Sequence, residues 1–217
     1  MGVIKTFSEF INESIWSDMQ DRSLGDTVRE EDKITTNEDL INKIQELYKE
    51  QGKGETLDVS SLTNCIKCDD FSYIFSAYTE VKHIIGLENW DVSNVKNMCE
   101  MFWGCKNFNS DLSKWDVSNV KNMEGMFAGC NKFNSDLSKW SVSKVETMES
   151  MFDNCQTFIS DLSKWNVSNV KNTNGMFMGC KKFNSDLSKW DVSKVEDMED
   201  MFNDCKSLKQ IPLWYTN

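Results

Sequence analysis

Cys65-Ile-Lys-Cys68 has the residue types and spacing of half a zinc site, because two thiolates separated by two residues can hold one face of a tetrahedral ion. A structural site needs a second pair, and only Cys99 and the lone His83 are at hand. Ser-His-acid catalysis would rest on that same histidine, which sits among Val81, Ile84 and Ile85 and reads as a core or edge residue. No glycine-rich phosphate loop occurs. The expectation is a non-enzymatic chain with no metal and no cofactor.

The other five cysteines, Cys105, Cys130, Cys155, Cys180 and Cys205, share one position in a 25-residue period that Trp90, Trp115, Trp140, Trp165 and Trp190 also mark. A period of that size is the signature of a stacked repeat, in which equal positions become columns at about 4.8 Å intervals. The cysteines then read as buried reduced thiols. Asp111, Asp136, Asp161 and Asp186 form an acidic column, and Lys114, Lys139, Lys164 and Lys189 a basic one beside it that relieves its self-repulsion. Separated single carboxylates lack the compact oxygen cage that calcium prefers.

The elements that must position these columns follow from the unit Leu112 to Cys130. Leu112, Trp115 and Val117 have the spacing of a leucine-rich-repeat strand, with Trp in a leucine place and therefore inward. Ser118 offers a helix cap, and Val120, Met123, Phe127 and Cys130 make a helical stripe; Ser143 with Glu146 and Ser193 with Glu196 complete capping boxes. Gly104, Gly129, Asn154, Gly179 and Asp204 precede each cysteine, where a left-handed residue would stop the helix. The predicted fold is an α/β solenoid, a leucine-rich-repeat-like stack of strand-helix units with a parallel sheet and an N-terminal capping helix. Its divisions are a polar leader or arm at 1–35, the capping helix at 36–56 and the repeats at 57–217. Within the repeats, 57–89 is a degenerate first unit, 90–205 the regular units and 206–217 an apolar lid. In the capping helix Leu40, Ile41, Ile44, Leu47 and Tyr48 share a face.

A net charge of -11 argues against nucleic acid and anionic membranes, both of which need a cationic footprint. No apolar run approaches the roughly 20 residues of a membrane-spanning helix. Side chains left outward on the predicted strands are Lys114, Asp116, Lys139, Ser141, Lys164, Asn166, Lys189 and Asp191. They form a mixed-charge face whose Asp-Ser-Asn-Asp column varies on a constant frame, as a recognition surface does. Had the tryptophans faced out, they would instead offer a ladder for stacking a glycan.

The repeat W-[DSN]-V-S-x-V-x-x-M-x-x-M-F-x-x-C-x-x-F-x-S-D-L-S-K resembles the BspA-like leucine-rich repeats of the mycoplasma lipoprotein type, clearly from Trp90 to Cys205 and weakly from Leu57 to Trp90. That resemblance implies a curved solenoid of the kind found on bacterial surface and adhesion proteins. The start departs from them, with no signal peptide and no lipid-acceptor cysteine. Ile4 to Ser14, IKTFSEFINES, resembles the capsid-targeting leader of internal head proteins in large tailed phages. On that resemblance Ile11-Asn12-Glu13 is a processing triplet, with the cut before Ser14. The expected function is a repeat scaffold or binding module, a virion protein in the virion or host cytoplasm whose partners are proteins such as capsid components. The alternative is a bacterial cell-surface repeat protein that binds a protein or a glycan.

Overall fold

The structure is a computed structural model and describes residues 33–63 and 66–215. The chain divides into two units, Met1–Lys33 and Ile34–Asn217. The processing triplet Ile11, Asn12 and Glu13, the cut before Ser14 and the thiol of Cys65 lie outside the described residues.

Helix α1 spans Asn37–Glu50. Thr36 caps it by accepting the Asp39 N–H at 3.1 Å, and Glu38 and Asp39 in the first turn with Lys49 in the last oppose the helix dipole. Its buried face is Leu40, Ile44 and Leu47, with Ile41 and Tyr48 packed beside them. Asn37 extends its amide to the carbonyls of Asp70 and Ser72 at 3.3 and 2.9 Å. The helix thereby covers the backbone row that no preceding repeat covers. Beyond it, β1 (Thr56–Asp58) pairs in parallel with β2 (His83–Ile85), Leu57 opposite Ile84.

The strand-helix stack expected from the sequence is not what forms. Among the described residues α1 is the one α-helix and β1 and β2 the two strands, and the 25-residue units are otherwise turn and loop. The expected strand through Leu112, Trp115 and Val117 is interrupted by a turn in which Trp115 N–H donates to the Leu112 carbonyl at 3.1 Å. A second turn follows, Val120 N–H to Val117 at 3.0 Å. The expected helix fails for a stereochemical reason. Gly125 and Gly129 both take left-handed φ, +56° and +76°, and two such residues four apart cannot belong to one right-handed helix.

The hydrogen bonds show what replaces it. The N–H groups of Met123, Gly125, Phe127 and Gly129 donate to the carbonyls of Thr147, Glu149, Met151 and Asp153 in the next unit, at 2.7 to 3.1 Å. Those of Met126, Ala128 and Cys130 turn back three residues to Met123, Gly125 and Phe127. Alternate amides therefore serve the neighbour and the local turn, which satisfies a backbone that would otherwise be buried unpaired. The units are in register along the whole series, with isolated parallel bridges linking Asn97, Asn122, Thr147, Asn172 and Asp197 in turn.

Between the two sides of each unit lies one continuous core. Phe102, Phe127, Phe152, Phe177 and Phe202 stack with centroids 5.6 to 5.9 Å apart and planes within 10°. Trp115, Trp140, Trp165 and Trp190 are 4–5% exposed, and each indole N–H donates at 3.0 to 3.1 Å to a leucine carbonyl of the preceding unit. The tryptophans are core residues, and they present no ladder on which a sugar could stack. The cysteine column has a donor's role as well as a volume: Cys130, Cys155 and Cys180 point their thiols at the carbonyls of Phe102, Phe127 and Phe152 at 3.0 to 3.1 Å.

Candidate functional site

The Ser-Asp-Leu-Ser segments form one edge of the units, and their side chains do the joining that a strand's backbone would have done. Asp111 accepts the Ser113 N–H at 2.9 Å, which closes a tight turn. Ser135 of the next unit accepts the Leu112 N–H at 2.9 Å and turns its own hydroxyl to Asp111. The same pair of bonds recurs at Asp136 with Ser160 and at Asp161 with Ser185. Backbone and hydroxyl donation from the following serine holds Asp111, Asp136, Asp161 and Asp186 below the usual carboxylate range. The aspartates are thus held down onto their own turns.

The lysines beside them are not. Lys114, Lys139, Lys164 and Lys189 are exposed, and none forms an ion pair among the described residues. Elsewhere on the units Lys96 pairs with Asp69 at 2.7 Å and Lys171 with Glu146 at 2.9 Å, while Lys144 and Lys194 donate to Asn119 and Asn169. The Asp-Lys edge therefore exposes both charges, its carboxylates bonded to their turns and its ammonium groups without a direct ion pair, each lysine still helping by its charge to hold the neighbouring aspartate's carboxyl low.

Asp116, Ser141, Asn166 and Asp191 are exposed as well, so all eight candidate binding residues reach the surface, although from turns and not from a strand face. Three of that variable column have local work to do: Asp116, Asn166 and Asp191 accept the N–H of Ser118, Ser168 and Ser193 at 3.0 to 3.2 Å. The choice between Asp and Asn there follows turn chemistry.

Ile159 escaped the sequence reading. Its equivalents Asn109, Asn134 and Asn184 each accept, through the side-chain oxygen, the N–H of the residue 25 further on, at 2.8 to 2.9 Å. Isoleucine cannot, so the chain of bonds stops at Ile159 and the Asn184 N–H has no acceptor among the described residues. The side chain is 60% exposed and lies between two shallow depressions, one walled by Asp136, Asp161, Lys139 and Lys164, the other by Asp161, Asp186, Lys164, Lys182 and Lys189. The signal was in the sequence as a departure from Asn in one column.

Groups able to ligate a metal come together at one place. The donor atoms of Cys99, Glu100 and Glu124 lie within 4.8 Å of one another on the turn side of the units. Burial, then the neighbouring Glu149 and Glu100, push the Glu124 carboxyl up, and burial raises the Cys99 thiol. The pairing of Cys99 with Cys68 and His83 does not arise: Cys68 is buried, its thiol pushed up to about 11 by desolvation, and His83 is exposed on β2.

Among the described residues no helix is long and apolar enough to cross a membrane. No curated protein and no solved structure matches the chain. One protein family does, over residues 69–177 and again over residues 138–217, a span that holds the turn side and the Ser-Asp-Leu-Ser-Lys edge just described. In these repeats the chain shows itself a member of that family, described as Mycoplasma protein of unknown function, DUF285, the family of the BspA-like repeat proteins of mycoplasma.

Proposed function

We propose that the chain is a non-enzymatic binding module whose Asp-Lys edge meets a protein partner. One observation carries this reading. Along that edge every aspartate of the Ser-Asp-Leu-Ser turns is engaged by its serine, while Lys114, Lys139, Lys164 and Lys189 stand exposed beside them with no direct ion pair among the described residues. Surface lysines cost little to leave unpaired, but a regular row of them adds weak contacts along an extended partner. Family membership supports a repeat protein and carries no activity with it. The leader resemblance supplies the only argument for a virion role, and it rests on residues outside the described part.

A photo-activatable residue placed at Lys164, against the same residue at the paired Lys171, tests the proposal in the cells that make the protein. Protein adducts from position 164, absent from position 171 and lost when Lys114, Lys139 and Lys189 are replaced by glutamate around it, are the expected result. Equal adducts from both positions would refute it.

A further inference from the structure

Each regular unit gives its successor the same set of backbone bonds. The N–H groups of Thr173, Gly175, Phe177 and Gly179 donate to the carbonyls of Asp197, Glu199, Met201 and Asn203, and the Lys171 carbonyl accepts the Glu196 N–H. One unit on, the corresponding groups are the Met198, Asp200, Phe202 and Asp204 N–H and the Glu196 carbonyl, and none of them has a hydrogen-bond partner among the described residues. The two ends of the stack differ in this. At the first unit Asn37 of α1 takes the carbonyls of Asp70 and Ser72. At the other end the following segment turns over the core instead: Trp214 stacks on Trp190 at 6.4 Å, and Tyr215 meets Phe202 edge-on at 5.1 Å. The rings are covered and the N–H row is not, and such a row is a template for one more extended segment.

A second copy of the described unit does not supply that segment. Joined head to tail, its matching carbonyls are already bonded to its own Asn37; joined tail to tail, donors would face donors. The side chains around the row select the charge of what does. Glu196 to Cys205 holds five carboxylates and no basic residue, against one lysine and no acid from Lys171 to Cys180. Glu196, Glu199, Asp200 and Asp204 are exposed, and of these Asp204 alone has an ion pair among the described residues, with Lys206 at 3.2 Å. Asp197 accepts the Glu199 N–H and the Asn174 amide. Lys171, beside Glu196 in its column, pairs with Glu146, and Lys194 donates to Asn169. The chain's net charge of -11 has the same sign as this surface.

We infer that the row is a docking site for an extended, lysine- or arginine-rich segment of a partner protein. The segment's backbone carbonyls take the N–H groups of Met198, Asp200, Phe202 and Asp204 as a following unit would, and its cations meet the surrounding carboxylates. This surface is separate from the Asp-Lys edge and stands whether or not that edge binds anything.

The test uses the full chain and a fluorescein-labelled peptide, Lys-Thr-Lys-Val-Lys-Thr-Lys, with a control of the same sequence built from alternating L- and D-residues, which keeps the charge and cannot extend as a strand. Anisotropy titrations should show binding of the all-L peptide, weakening as salt rises, and at least tenfold weaker binding of the control. Amide hydrogen exchange followed by NMR should show protection gained at Met198, Asp200, Phe202 and Asp204 on binding, and no change at Phe177, whose N–H is already bonded. Glu196→Lys combined with Asp200→Gly should weaken binding about tenfold or more. That variant is safe for folding, because Lys171 and Gly175 are the residues the preceding unit uses at these positions. No binding, equal binding of the control peptide, or binding that leaves the four amides unprotected would overturn the inference. Amides as protected in the free chain as that of Phe177 would overturn it too, since the row would already be covered. So would protection that rises with protein concentration in the absence of peptide, which would make a second copy the occupant.

Discussion

Trp140 Nε1 donates to the carbonyl of Leu112, 28 residues earlier, at 3.0 Å, and so ties the indole of one unit to the backbone of the unit before it. Trp90 occupies the same repeat position, yet its Nε1 is buried without a partner. The unit before Trp90 is the degenerate first one, in which β1 and β2 pair, and no acceptor there bonds Trp90 Nε1. Trp140→Phe deletes a made bond, whereas Trp90→Phe deletes an unmade one. Chemical denaturation should show Trp140→Phe the more destabilising by about 1 kcal/mol, the net value of one buried hydrogen bond. Equal losses would mean that the indole bonds contribute nothing beyond ring volume.

The left-handed positions give a second prediction. Ser150 has φ +52° where Gly125 and Gly175 have +56° and +59°. Relief of the Cβ penalty predicts that Ser150→Gly stabilises by up to about 1 kcal/mol. Gly125→Val should destabilise by more than that, because its Cβ would sit 3.0 Å from Glu100 Cγ in addition to the backbone strain. Paired urea midpoints check both signs.

These two columns also explain how much of the fold the sequence disclosed. The period, the inward tryptophans and the cysteine column could be read directly, because each is a matter of which residue types recur. The helix could not, since Met123, Met126, Phe127 and Cys130 are buried at i, i+3, i+4 and i+7 both in a helix and in the tandem turns that form. What separates the two is the second left-handed position, and Glu100, Ser150 and Asp200 disguise it among its glycines. The lysine edge was legible as a column of identical letters. Ile159 was legible only as a departure from one, and the use made of asparagine there is a contact 25 residues away that no local pattern encodes.

The thiol column should be chemically silent until the chain unfolds. Burial raises Cys130, Cys155 and Cys180 well above an ordinary thiol, and Cys105 is pushed up to about 12. Iodoacetamide at pH 8 should leave these four unlabelled in the native protein and label all of them in urea, read by mass spectrometry. Native labelling of Cys155 at the rate of a free thiol would contradict a continuous core.

Acid should loosen the Ser-Asp-Leu-Ser edge while relieving the turn side. The folded-state pKa values of Asp111, Asp136 and Asp161 lie below the ordinary value, so the stability they confer is complete above the unfolded pKa of about 3.9. It is lost as pH falls through the depressed folded values. Glu124 has the opposite sign: its folded pKa is raised by burial and by Glu149 and Glu100, so stability falls as pH rises through the window above its unfolded value. At pH 7 that cost is fully present, and Glu124→Gln should raise the urea midpoint there and leave it nearly unchanged at pH 3. Replacing Asp136 by alanine should lower the midpoint at pH 7 and lose its effect in acid.

Replacing Ile159 by asparagine makes a stability prediction independent of any partner. The new side-chain oxygen would stand where Asn109 and Asn134 accept a neighbour's N–H, and would receive that of Asn184. The gain expected is about 0.5–1.5 kcal/mol, the net worth of one intramolecular hydrogen bond. The reciprocal change, Asn134→Ile, strands the Ile159 N–H and should cost a similar amount. If instead Ile159→Asn is destabilising, isoleucine serves the packing of its own unit, and the departure from the repeat is structural.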